Sequence, residues 1–385
     1  MNIYLGVILS KNILFLSGTR ADFGKLKSLI QSVDKHEDFD YKIFVTGMHL
    51  LSKYGSTYKE IEKSGFHNTH EFINQYLGES MDMILSNTIQ GLSRYISEEK
   101  PDMIVVHGDR VEALAGAIVG SLNNILVAHI EGGERSGTID ELIRHSVSKL
   151  SHIHFVANEE AKKRLLQLGE SNESIVVFGS PDIDVMKSDT LPSLKSVKEY
   201  YNIPFLDYHV VMFHPVTTEV ENVELYANNL VDALLSFEEE NFIVIYPNND
   251  DGTNEILRVY QRLENQKNIK LFPSIRFESF LVLIEEARSI IGNSSAGIRE
   301  APIYGVPTLN IGTRQNLRYL SPSIFNSTYE TKEIVSNIEQ IIMLEERYEP
   351  SEYFGKGNSA ELFIEMLSGD ALWSISSQKI FHDRL

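Results

Sequence analysis

His129-Ile-Glu-Gly-Gly-Glu-Arg-Ser-Gly-Thr-Ile-Asp140 decides how the rest of the chain is read. It follows a short apolar run, Asn124-Ile-Leu-Val-Ala128, that reads as a buried parallel strand. Polarity then changes at once: Glu131, Glu134, Asp140 and Glu141 gather with two glycines and an arginine just past the strand's carboxyl end. In open α/β sheets that crevice is where ligands bind. Gly132-Gly133 permits close backbone approach. One strand earlier the arrangement repeats, with Met103-Ile-Val-Val106 running into His107-Gly-Asp-Arg110. Two neighbouring strands therefore deliver Asp109 and Glu131 to one rim. Either carboxylate alone reads as a helix cap. Two at equivalent places on consecutive strands suit general acid/base chemistry, because proximity pushes paired carboxylates apart in pKa.

Working outward, the pattern continues on both sides. Asn12-Ile-Leu-Phe-Leu16 predicts the first strand, opening through Ser17-Gly-Thr-Arg-Ala-Asp-Phe-Gly24 into a helix from Lys25 to about Val33. Strand, glycine turn and helix form a phosphate cradle, to which Arg20 and Lys25 add charge; a plain strand-to-helix turn reads equally well. Further strands are expected at 41–46, 152–156 and 174–178, and helices at 51–64, 79–100, 111–122, 138–150 and 159–168. These six or seven β–α units predict a doubly wound domain over residues 1–186. A Pro-, Ser- and Lys-containing stretch, 187–206, marks the boundary. The pattern restarts with strands near 208–213, 241–246, 269–272, 289–291 and 308–311, and a helix near 359–367. A second domain over 187–368 follows, leaving 369–385 unassigned.

The second half has its own strand-end loops. Phe213-His-Pro215 places His214, and Tyr246-Pro-Asn248 places Asn248. Ile290-Ile-Gly-Asn-Ser-Ser-Ala-Gly-Ile-Arg-Glu300 sets Ser294 and Ser295 at a helix N-terminus, an anion site, with Glu300 placed to meet ribose hydroxyls. A Ser-Ser cap is the plainer reading of that loop alone. Together with Arg20, Arg110 and Arg314, a diphosphate becomes the expected ligand. Two doubly wound Rossmann-like α/β domains facing across a cleft describe the GT-B architecture of nucleotide-sugar enzymes.

Composition narrows the class. The net charge of −19 argues against nucleic acid and anionic membranes as partners, while a local arginine cluster still serves a phosphate. The chain has no Cys, which removes disulfides, thiolate metal sites and a catalytic thiol. No apolar run reaches the roughly 18 residues of a membrane span, so a cytoplasmic protein is expected. His107, His129, His152 and His154 lie at or in strands. They read as hydrogen-bonded supports for the carboxylate loops rather than metal ligands, since no H-E-x-x-H spacing occurs.

Gly18-Thr-Arg-Ala-Asp-Phe-Gly-Lys25, His107-Gly-Asp-Arg110, the 129–140 stretch, Gly292-Asn-Ser-Ser295 and Gly312-Thr-Arg-Gln315 together resemble the UDP-N-acetylglucosamine 2-epimerases, over roughly residues 12–368. The hydrolysing branch, which feeds sialic-acid and related nonulosonate synthesis, fits best. The non-hydrolysing branch usually reads Gly-Thr-Arg-Pro-Glu in the first motif and Ala-Gly after the glutamate of the third. The resemblance implies cofactor-free, metal-free chemistry: loss of UDP and the C2 proton gives 2-acetamidoglucal, and water addition releases N-acetylmannosamine. It implies Asp109, Glu131 and Asp140 as acid/base groups, with His214 assisting. Arg20, Arg110, Ser294, Ser295 and Arg314 would hold the phosphates and Glu300 the ribose, while Arg276, Phe277 and Asn248 would border the uridine. Gly24 departs from relatives that carry Ser there. A UDP-2,4-diacetamido-2,4,6-trideoxyglucose substrate, a non-hydrolysing 2-epimerase, a GT-B glycosyltransferase and a non-catalytic nucleotide-sugar sensor are the competing readings. A homodimer or homotetramer is expected by the same resemblance.

Overall fold

The structure, a computed structural model, describes residues 10–52, 55–135, 139–247, 252–315 and 319–383. The chain divides into two compact units: Met1–Lys187 with Tyr353–Leu385, and Ser188–Glu352.

Unit 1 is built on seven strands: β1 (Lys11–Ser17), β2 (Phe39–Val45), β3 (Thr69–Glu71), β4 (Met103–His107), β5 (Leu126–Ile130), β6 (Ile153–Val156) and β7 (Ile175–Val177). They pair in parallel in the order β3-β2-β1-β4-β5-β6-β7. The order reverses between β1 and β4. Strands without alternation, such as the wholly buried Met103–His107, need cover on both faces. The helices α1 (Arg20–Asp34), α2 (Tyr58–Lys63), α3 (Met81–Glu99), α4 (Val111–Leu122), α5 (Ile139–Leu150), α6 (Glu159–Gln167) and α7 (Pro181–Met186) follow in turn. The small residues of α4 bring it against the sheet: a Cβ on Gly116 would meet Val106 Cγ1 at 2.6 Å, and one on Gly120 would meet Val127 Cγ2 at 2.3 Å.

Unit 2 opens with α8 (Leu194–Tyr201) and carries β8 (His209–Met212), α9 (Val223–Leu235), β9 (Phe242–Ile245), α10 (Thr253–Tyr260), β10 (Ile269–Phe272), α11 (Phe277–Glu286), β11 (Ser289–Gly292), α12 (Ala296–Arg299), β12 (Thr308–Ile311), β13 (Ile324–Ser327) and α13 (Thr331–Ile342). Its parallel sheet runs β10-β9-β8-β11-β12-β13, reversing between β8 and β11.

Four expectations change. The first helix starts at Arg20, not Lys25: Thr19 caps it, its Oγ1 accepting from Asp22 N at 3.2 Å, so Gly24 lies inside α1 rather than in a cradle loop. The helix expected over 51–64 shortens to Tyr58–Lys63. Short edge strands β3 and β13, and α13 with its buried Ile334, Ile338 and Ile341, went unread. The stretch after 352, read as the end of the second domain, packs on unit 1. There α14 (Ser359–Ser368) sets Phe363, fully buried, beside Phe155 (ring centroids 5.0 Å apart) and Phe15 (6.4 Å). Its first amides, Ser359 N and Ala360 N, donate to Asp184 Oδ1 and Oδ2 at 2.9 and 2.7 Å, so a carboxylate on α7 caps it. A last turn, α15 (Asp370–Trp373), leads to 375–383. That tail lies along the sheet's other end, with Lys379 Nζ on Ser148 O (3.1 Å) and Lys149 O (2.8 Å), and His382 N on Gly169 O (3.0 Å).

Candidate active site

In unit 1 the strand order reverses where Ser17-Gly18-Thr19 and His107-Gly108-Asp109 leave the sheet, the place where doubly wound sheets bind ligands. Glu131 follows β5, 3 % exposed, with φ of +61°, a left-handed value rare outside glycine. Its carboxylate is surrounded. Lys25 Nζ lies 2.7 Å from Oε1 and the Ser180 hydroxyl donates to the same oxygen. His107 Nε2 lies 3.3 Å from Oε2, off hydrogen-bond geometry, and so acts there as a charge. Lys25 also reaches Asp182 Oδ2 at 3.3 Å. On the far side His107 Nδ1 meets Asp22 Oδ1 at 3.3 Å.

These contacts set protonation. Burial alone would push the His107 imidazole down, but the Asp22 and Glu131 carboxylates outweigh it and hold it up at about 9. Burial likewise disfavours the Asp22 anion, yet the His107 cation keeps its carboxyl below the ordinary value. An imidazolium between two carboxylates is the neutral-pH state.

Asp109 and Glu131 are brought together through one side chain. Arg144 on α5 donates from Nη1 to Glu131 O at 2.7 Å and pairs through Nη2 with Asp109. His129 is fully buried, and burial pushes its pKa well below the usual histidine range. As the neutral ring it donates Nε2–H to Gly108 O (2.8 Å) and accepts from the Ser148 hydroxyl at Nδ1 (3.0 Å), fixing the Asp109 loop. Asp140 lies exposed in the first turn of α5. Arg20 pairs through Nε with Glu60 at 2.9 Å, and Arg110 through Nε with Glu112 at 3.2 Å.

In unit 2 the reversal lies between His214, after β8, and Asn293, after β11. Asn293 is fully buried and organises this end. Its side chain accepts from His214 N (2.7 Å) and donates to His214 O (2.8 Å), while its carbonyl accepts from Arg314 Nη1 (3.1 Å) and Gln315 Nε2 (2.8 Å). Ser294 Oγ accepts from Ala296 N at 3.3 Å, the cap reading of that serine; Ser295 sits at the N-cap of α12 and Glu300 directly follows that helix. Arg276 precedes α11, its guanidinium 5.2 Å over the Tyr200 ring, with Phe277 beginning the helix. Asn248 lies outside the described residues.

Sequence reasoning passed over Asp22, Arg144, Ser180, Asp182 and Asn293, and gave Lys25 only as added charge. Two signals were available. Asp22 and Lys25 are three apart on one helix face, and Ser180 and Asp182 follow β7 as Asp109 follows β4. Among the described residues, no three His, Asp or Glu side chains converge as a metal site. No described helix is long and apolar enough to cross a membrane.

Two units with parallel doubly wound sheets and polar clusters at both reversals define a two-domain α/β protein of the doubly wound class. Residues 31–368 match the family described as UDP-N-acetylglucosamine 2-epimerase, and the chain belongs to that family. It is similar to the UDP-N-acetylglucosamine 2-epimerase of Neisseria meningitidis serogroup B, 51% identical over 97% of this chain and 99% of that one. It is also similar to the hydrolysing UDP-N,N'-diacetylbacillosamine 2-epimerase of Legionella pneumophila, 32% identical over 93% and 95%. The fold is shared with the crystal structure of a Neisseria meningitidis UDP-GlcNAc 2-epimerase bound to UDP-GlcNAc, at TM-score 0.80 and 21% identity, over 92% of this chain and 99% of that one.

Proposed function

We propose that the protein is a hydrolysing UDP-N-acetylglucosamine 2-epimerase, converting UDP-N-acetylglucosamine and water to N-acetylmannosamine and UDP. The observation that carries this reading is Glu131: a buried carboxylate on a left-handed backbone, ringed by Lys25, His107 and Ser180, with Asp109 tied to the Glu131 backbone carbonyl through Arg144. The high identity to the serogroup B relative supports the substrate, and the name of the Legionella relative supports hydrolysis.

In the first step the C1–O bond breaks and its electron pair leaves with UDP. A carboxylate takes the C2 proton, and the C1–C2 double bond of 2-acetamidoglucal forms. In the second step water adds at C1, giving a proton to a carboxylate, and a proton is delivered to the opposite face of C2. The first step has positive charge at C1, which nearby carboxylates stabilise. Asp109, Glu131 and Asp140 supply the acid/base groups. Lys25 and the His107 imidazolium set positive charge against the Glu131 carboxylate. In unit 2, His214, Ser294, Ser295 and Arg314 serve the diphosphate, Glu300 the ribose, and Arg276, Phe277 and Asn248 the uridine; in unit 1, Arg20 and Arg110 are phosphate ligands. The product supplies nonulosonate synthesis.

Proton NMR of the purified protein with UDP-N-acetylglucosamine in D2O tests this. The expected products are free UDP and N-acetylmannosamine deuterated at C2. A mixture of UDP-sugars epimeric at C2 without free UDP would replace hydrolysis by reversible epimerisation. No turnover, with turnover of the diacetamido-trideoxy sugar instead, would transfer the reading to that substrate.

A further inference from the structure

Glu112 is the second residue of α4, where a helix usually keeps an acidic side chain in solvent near its positive end. Here it is 2 % exposed. Its chain folds back under the loops that follow β1 and β2. A Cβ on Gly18 would lie 3.1 Å from its Cδ, and one on Gly47 would lie 2.6 Å from its Oε1. A side chain at either position would crowd the carboxylate. One oxygen, Oε2, takes the Nε–H of Arg110 at 3.2 Å; the other, Oε1, is buried with no hydrogen-bond partner among the described residues. A buried, half-satisfied carboxylate costs stability unless its charge is used. Its one partner is Arg110, whose Nη1 and Nη2 hydrogen-bond to no described residue. A guanidinium pinned at Nε presents two parallel terminal donors, the geometry that grips a phosphate in bidentate fashion. Arg110 stands where the strand order reverses, beside the loop after β1.

We infer that Glu112 is a positioning residue: from beneath Gly18 and Gly47 it fixes the Arg110 guanidinium so that its terminal nitrogens receive a diphosphate. This rests on the reading of the protein as a UDP-sugar enzyme and assigns a residue which that reading does not use. Glu112 does not touch the ligand. It removes the freedom that Arg110 would otherwise lose on binding.

The test is calorimetric titration of the full chain with UDP and, separately, with inorganic pyrophosphate. Glu112→Met keeps the volume and removes the acceptor; Glu112→Gln keeps an acceptor oxygen. The expected result is a roughly 10-fold higher Kd for both ligands in E112M, the scale of one charge-assisted hydrogen bond. E112Q should stay within about threefold of wild type, and E112M should have no further effect when Arg110 is already Met. The same 10-fold loss in the R110M background would make Glu112 a general structural residue, and unchanged affinity in E112M would overturn the inference. If E112M does not fold, Gly18→Ala crowds the same carboxylate, and its effect should likewise vanish in R110M. Wild-type binding of pyrophosphate without UDP would count against the UDP-sugar reading and leave the Arg110 clamp standing. Binding of neither would overturn both.

Discussion

The stability difference between wild type and His107→Gln should shrink steadily as pH rises from 6 to 9. His107 is 9 % exposed and its pKa is held at about 9, against 6.5 for an ordinary histidine. The folded state therefore binds this proton more tightly than the unfolded chain. The stabilisation is complete below the unfolded value and disappears as pH rises through the folded one. At 1.36 kcal/mol per pH unit, it amounts to about 3 kcal/mol at pH 6, about 2 kcal/mol at pH 7.5 and about 0.4 kcal/mol at pH 9. The depressed Asp22 carboxyl is the same interaction seen from its partner and is not added. Lys379, held down to about 8 mainly by burial, titrates within this range. It cancels in the difference between wild type and H107Q because it lies in another cluster. The assay is urea unfolding at the three pH values, followed by fluorescence of the single tryptophan, Trp373, which belongs to unit 1. A wild-type minus H107Q difference that stays flat from pH 6 to 9, or grows, would refute an imidazolium bridging Asp22 and Glu131.

Phe363→Ala should destabilise the same fluorescence transition by about 3–5 kcal/mol, the range for emptying a buried aromatic site; a loss under about 1 kcal/mol would contradict the packing of α14 into the unit 1 core. Glu131→Gln should lower kcat by about 100-fold or more with little change in UDP affinity, because it removes a proton-transfer group and leaves the diphosphate contacts; retained turnover would remove Glu131 from the chemistry. Glu170 is buried against His154 (3.0 Å) and Lys379 (2.6 Å), which outweigh burial and hold its carboxyl at about 2. Its stabilisation, about 3 kcal/mol by the same conversion, is present above pH 4.5 and lost as pH falls towards 2. Glu170→Gln should flatten the acid limb of stability in that window, measured by circular dichroism.

The strand-to-helix alternation was legible in the sequence because parallel strands buried on both faces are short, unbroken apolar runs: Met103–His107 and Leu126–Ile130 read within two or three residues of their ends. The edge strand β3 is largely exposed and polar, so its run carried no such signal. The carboxyl-end loops were legible for the same geometric reason, which is why Asp109, Glu131, His214, Ser294 and Ser295 stood out as candidates.

Partnership was decided only in three dimensions. Residue types along the chain give no distance between Lys25 and Glu131, 106 positions apart and 2.7 Å in space. Nor do they show that Arg144 joins the Asp109 and Glu131 loops, or that His107 keeps its proton between two buried anions. Chain order also misplaced the end of the molecule. The amphipathic helix 359–368 has an apolar stripe that either sheet could cover. Phe363 enters unit 1 because Phe15 and Phe155 leave the space there and Asp184 caps the helix, conditions set by residues more than 170 positions away. Local pattern determines which segments are strands and helices and where their ends gather. The choice among partners for a charge or an apolar face depends on which alternative buries it with its hydrogen bonds satisfied, and that requires the folded chain.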